Sequence, residues 1–175
     1  DLIERIHEIE GLERIRIGSL EPRIVTEEFA KRLAMLFKIC PHFHLSLQSG
    51  CDATLKRMNR HYTASEYEKS VEVLRKAFER PAITTDVIVG FPEETEEEFE
   101  ETKAFLEHIG FFEMHIFKYS KRNGTVAARM PGQIPDSVKT ERSNVLLALE
   151  KKQSKAFRAF YRGKEAEVLF EEQKN

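Results

Sequence analysis

Tryptophan is absent from the 175 residues and cysteine occurs only twice, at Cys40 and Cys51. Two cysteines exclude a disulfide-stapled scaffold; with no secretory leader in view, they point to a reducing, cytoplasmic setting. No apolar run approaches the roughly 18 residues of a membrane span. There is no Gly-rich phosphate loop and no local Ser-His-Asp or Cys-His signature. A net charge of -2 and a pI near 6.4 give no global attraction to nucleic acid, leaving room only for a local basic surface. What is present, 41% hydrophobic and 33% charged residues, is the composition of a soluble globular protein with enough chain for one core. The opening DLIERIHEIEG reads as helix without an initiator Met, and EVLFEEQKN as the start of a new strand, so neither end is expected to be natural.

Four segments read as strands: Glu13 to Gly18, Phe43 to Gln48, Ile83 to Val89 and Glu113 to Tyr119. Each is followed by helix signals. Thr26 can cap EEFAKRLAMLF, Thr63 with Glu66 and Thr95 with Glu98 form capping boxes, and a long helix runs from about Ser137 to Tyr161 before Gly163. Alternating strands and helices with short links imply parallel strands with right-handed crossovers, an α/β sheet or barrel.

The strand patterns favour the barrel. In FHLSLQ, Phe43, Leu45 and Leu47 share one face and His44, Ser46 and Gln48 the other. Arg14 and Arg16 oppose Ile15 and Ile17, Thr84 and Asp86 oppose Thr85, Val87 and Val89, and His115 opposes Met114 and Ile116. Neighbouring strands with one apolar and one polar face fit a barrel, open or closed, with a polar lumen.

Cys40, His42, His44 and Cys51 are zinc-type ligands, but their spacing matches no common zinc pattern and structural or luminal roles are preferred; no metal ligands are assigned. The better constellation is at the strand ends: Glu21, Gln48, Ser49, Asp86, Tyr119 and Ser120 come from four strands and converge on one mouth of a barrel. Lys56, Arg57, Arg60 and His61, and Lys121, Arg122 and Arg129, are basic groups after strand ends, where they can rim that mouth or be simple surface charge.

RIRIGSLEP, CPHFHLSLQSGCDATLKRMNRHYT, ITTDVIVGFPEETEEEF and MHIFKYSKRNGTVAARM together resemble the radical S-adenosylmethionine core of the methylthiotransferases. Among these the chain is most similar to the tRNA branch that acts on N6-threonylcarbamoyladenosine next to the anticodon. The resemblance implies a partial (β/α) barrel of which residues 1–163 hold the last four βα units, with 164–175 beginning a small RNA-binding β-barrel domain. It implies S-adenosylmethionine and 4Fe-4S clusters as cofactors and tRNA as substrate. The cluster's Cys-x3-Cys-x2-Cys loop does not occur here, so the chain alone is expected not to catalyse. Carried onto matching positions, Gln48 and Ser49 contact the ribose and methionine parts of the cofactor, and Arg60 pairs the methionine carboxylate. Val87 to Gly90 lie by the adenine, Phe117 and Tyr119 complete that side, and Glu21 and Asp86 join the site. Arg57, Lys121 and Arg122 would contact RNA. The family usually has Gly where this chain has Glu93, a departure in the turn. The alternatives are methylthiolation of isopentenyladenosine or of a ribosomal protein aspartate, and a non-catalytic RNA-binding barrel module.

Overall fold

The computed structural model describes residues 1–165. After a short helix α1 (Leu2–His7), four parallel strands form one sheet in sequence order: β1 (Ile15–Leu20), β2 (Ile39–Leu45), β3 (Ala82–Val89) and β4 (Glu113–Lys118). The helices between and after them are α2 (Glu27–Ala34), α3 (Asp52–Arg57), α4 (Ala64–Ala77), α5 (Glu96–Ile109) and α6 (Asp136–Ala159). This is a partial (β/α) barrel. The further strand expected from residue 164 onward falls on residues 166–175, outside the described ones.

The helix starts follow from local chemistry. Thr26 Oγ1 accepts from the Phe29 N–H at the head of α2, and both expected capping boxes form, Thr63 with Glu66 on α4 and Thr95 with Glu98 on α5. Gly110 ends α5 in the left-handed region at φ 66°. Helix α3 was not expected from the sequence; at six residues it is too short for a periodic signal.

Strand β2 starts four residues before the expected Phe43 and runs through Pro41. Ile15 pairs with Ile39 but Ile17 with Phe43, so β2 bulges where proline offers no N–H to the ladder. Phe43, Leu45, Ile83, Val87, Val89 and Met114 point to the helix side, where they meet Leu33, Tyr67, Val71, Leu74, Phe99, Leu106 and Leu146 in one core. Tyr67 is sealed within it, its hydroxyl donating to the Leu45 carbonyl at 3.1 Å. The opposite face of the sheet carries the polar residues, so the predicted two-faced pattern holds.

Candidate functional site

On this open face β1 presents Arg16, β2 His42 and His44, β3 Thr84, Asp86 and Ile88, and β4 His115 and Phe117. The polar groups pair across strands. Arg16 lies 3.1 Å from His42 Nε2, and burial, with the Arg16 charge beside it, holds His42 below its ordinary value. His44 Nδ1 meets Thr84 Oγ1 at 3.0 Å while its Nε2 faces Asp86 Oδ2 at 3.3 Å. His115 stacks on His44, ring centroids 5.8 Å apart.

Beyond the carboxyl ends of the strands lies a depression of about 460 Å³, lined by Gln48, Asp86, Ile88, Phe91, Phe117 and Tyr119 and by the following Ser120 to Ala127 segment, including Arg122. Gln48 enters it from an unusual backbone. At φ 73° it is left-handed without being glycine, and it is held there by its N–H to the Asp86 carbonyl and its carbonyl to the Ile88 N–H, each 2.9 Å. Phe117, at the end of β4, is 53% exposed, leaving a large aromatic face open in the depression. The Tyr119 hydroxyl is shielded from solvent with no hydrogen-bond partner among the described residues. Glu21 and Arg60 instead line a second depression with Ser19, Ser46, Asn59, His61 and Tyr62, and Glu21 pairs with Arg23 at 3.0 Å. Lys121 and Arg122 are exposed beyond β4.

The side chains of Ser49, Val87 and Arg57 face elsewhere, and α6 fills the space above Gly90. Ser49 is buried, its hydroxyl 3.0 Å from that of Thr102 on α5 and accepting from the Cys51 N–H, so the strand end turns it toward the helices. Val87 points into the core; its neighbours Asp86 and Ile88 are the β3 residues on the open side. A Cβ on Gly90 would come within 2.3 Å of Lys139 Cγ, so the direction a side chain would take there is filled by α6. Arg57 is occupied by both carboxylate oxygens of Glu98, which leaves its charge little use for phosphate.

Lys139 is a residue the sequence did not single out. It bridges the turn by donating to the Tyr119 carbonyl at 3.0 Å and lies over the Tyr119 ring. Beneath the same turn, Glu94 accepts from the Gly90 N–H and from Arg142, both at 2.7 Å. Burial pushes the Glu94 carboxyl up, against the pull of those two donors. Glu93 takes the left-handed backbone at φ 64°, the conformation a glycine would supply there, and its N–H donates to the Gly132 carbonyl.

A family model described as the radical SAM superfamily matches residues 1–106. The chain belongs to that superfamily, whose members use S-adenosylmethionine with a 4Fe-4S cluster. Over 170 residues, 97% of this chain and 36% of the relative, it is 45% identical to the tRNA-2-methylthio-N(6)-dimethylallyladenosine synthase of Thermoanaerobacter sp. (strain X514). A protein of the same name from Aquifex aeolicus is 43% identical over all of this chain and 40% of its own length. The threonylcarbamoyladenosine tRNA methylthiotransferase MtaB of Bacillus subtilis is 44% identical over 94% of this chain and 36% of its own. The chain thus spans little more than a third of these relatives' length. Coproporphyrinogen III oxidase from Escherichia coli, a radical SAM enzyme, superposes with a TM-score of 0.66 at 16% identity, covering 80% of this chain and 32% of that one.

The site's residues fit one of these cofactors and not the other. An exposed aromatic, a carboxylate, an amide and an unpaired hydroxyl around about 460 Å³ suit a nucleoside joined to a charged amino acid, within the size range of small-molecule sites. A 4Fe-4S cluster takes thiolates, and Cys40 and Cys51 do not supply the set; Cys51 is moreover 2% exposed, with burial raising its thiol.

Proposed function

We propose that this chain is part of a tRNA methylthiotransferase and that the depression at the strand ends holds S-adenosylmethionine. Phe117 packs on the adenine, Gln48 and Asp86 hold polar parts of the cofactor, and Tyr119 gives its hydroxyl a partner there. Arg60 and Glu21, in the neighbouring depression, are placed for a more distant part of the cofactor or for the substrate. Lys121 and Arg122 contact tRNA phosphates at the rim. When bound to a cluster, the cofactor supplies the radical and the methyl group. The residues of this chain position the reactants and exclude water. The cluster's thiolates must come from outside these residues, so the 175-residue chain alone is inactive. The setting is the cytoplasm.

The observation that carries this reading is the convergence of Gln48, Asp86, Phe117 and Tyr119 on one depression beyond the strand ends. For the substrate we favour N6-threonylcarbamoyladenosine. Arg16, His42, His44 and His115 crowd the open face with groups able to meet the carboxylate of a threonylcarbamoyl group, whereas a dimethylallyl group offers them nothing. A dimethylallyladenosine substrate is the second reading, supported by the names of the Thermoanaerobacter and Aquifex relatives. The gene encoding this sequence, expressed in cells lacking tRNA methylthiotransferases, is tested by nucleoside mass spectrometry. The account expects 2-methylthio-N6-threonylcarbamoyladenosine. Only the dimethylallyl product would overturn the substrate assignment, and no methylthiolation under anaerobic conditions would overturn the activity.

A further inference from the structure

We infer that His44, Asp86 and His115 form a binding site for a divalent transition-metal ion, zinc or ferrous iron, on the open face of the sheet. One ligand atom from each residue lies within 4.8 Å of the others. They come from three adjacent strands. Asp86 and His115 are direct partners across β3 and β4, and His44 pairs with Thr84, two residues before Asp86 on the same face. Ligands on paired strands are held by the backbone ladder, the rigid placement a metal site needs.

The surroundings favour coordination over a simple polar cluster. Thr84 Oγ1 sits 3.0 Å from His44 Nδ1, so with the proton on Nδ1 the ring donates to threonine and turns the Nε2 lone pair toward Asp86, 3.3 Å away. The His115 ring has no hydrogen-bond partner among the described residues and stacks on His44 at an interplanar angle of 29°, which leaves its nitrogens available to an ion. Rotation of the exposed His115 side chain out of its stack, with a shift of Asp86, would turn the three ligand atoms onto one ion. Two imidazoles and one carboxylate are borderline-hard ligands that suit zinc or ferrous iron. The remaining positions open onto the uncovered face, so water or an anionic oxygen of a bound molecule completes the coordination. Asp86 also lines the large depression, which sets the ion beside any ligand there. Cysteine takes no part. His44 does belong to a metal-type group, with partners other than the nearby Cys40 and Cys51.

The inference shares His44, Asp86 and His115 with the proposed function, but it rests on their geometry alone and is tested without activity. Metal-free full chain is titrated anaerobically with Co²⁺, followed by its visible ligand-field bands, and Zn²⁺ affinity is measured by competition with a chromophoric chelator. One ion per chain is expected. His44→Ala, Asp86→Asn and His115→Ala should each lower Zn²⁺ affinity by more than the ~10 to 100-fold typical of losing an outer-shell partner. Cys40→Ser, Cys51→Ser and His42→Ala should leave it unchanged. His115→Ala alters an exposed side chain, and its circular dichroism should match the parent, so its result does not depend on folding. Absence of one-to-one binding, survival of full affinity in His115→Ala, or its loss in a cysteine variant would overturn the site.

Discussion

Lys139 on α6 lies across Gly90 at the end of β3, its Nζ donating to the Tyr119 carbonyl at the end of β4. One side chain thus ties the last helix to the two strand ends that frame the larger depression. Gly90, at φ 70°, has both a backbone and a steric reason to lack a side chain. Gly90→Ala should therefore destabilise the protein by more than the roughly 1 to 2 kcal/mol of a left-handed alanine. Adding Lys139→Ala should recover the steric part and leave the backbone part. Urea unfolding of the two variants separates them, and equal stability of the single and double variants would contradict the packing role.

Arg142 and Glu94 form an ion pair with side chains only 6% and 2% exposed. Replacing Arg142 by Met leaves a carboxylate in the core, an arrangement that costs about 3 to 5 kcal/mol. Denaturant unfolding should show a loss of that size for Arg142→Met. A smaller loss for Glu94→Gln is expected, since the amide oxygen can still accept from the Gly90 N–H.

Glu93 gives the opposite expectation. Its φ of 64° strains a residue with a Cβ, and its Cγ packs where a Cβ on Gly132 would lie. Glu93→Gly should stabilise the fold by up to about 1 kcal/mol, as relief of the strain exceeds the entropy given to the unfolded chain. A thermal scan showing a lower midpoint would contradict this.

The Arg57 and Glu98 pair sets an acid response. The Arg57 hydrogen bonds, against a raising effect of burial, hold Glu98 below its ordinary value of 4.5. A carboxyl depressed on folding stabilises fully above its unfolded value, and that contribution disappears as pH falls through its folded value. At neutral pH Glu98→Gln should cost about 1 to 3 kcal/mol. The difference between parent and variant should close as pH drops below about 4. Unfolding curves at several pH values check it; a gap that persists in acid would assign the effect to capping alone.

What the sequence made legible was periodic or local. The alternation in FHLSLQ and TTDVIV set the two faces of the sheet, and the Thr63 and Thr95 boxes marked α4 and α5, because these signals depend on neighbours within a turn or a strand pair. Val87 was expected beside the adenine, but its side chain shares the core face with Val89. Ser49 was illegible: Gln48 takes a left-handed backbone, so alternation past Leu47 no longer tells which way the next side chain points. Gly90 announced a crowded spot but not its occupant, because Lys139 is 49 residues away on a helix whose packing no local pattern specifies. Arg57 read as an RNA contact, because no local pattern showed that α5 places Glu98 against it. His115 was visible as a polar residue opposite Met114, but its meeting with His44 and Asp86 required the register of three strands.

The central claim is that the depression lined by Gln48, Phe117 and Tyr119 holds S-adenosylmethionine, and Phe117→Ala tests it most directly because the side chain is exposed and its loss spares the core. The measurement is calorimetric titration of S-adenosylmethionine into the cluster-loaded product of the gene encoding this sequence, parent beside Phe117→Ala, with iron content and circular dichroism matched. Loss of an aromatic partner for the adenine should weaken binding by about 1 to 3 kcal/mol, roughly 5 to 150-fold. Unchanged affinity in a folded, cluster-loaded Phe117→Ala protein would contradict the account and place the cofactor elsewhere.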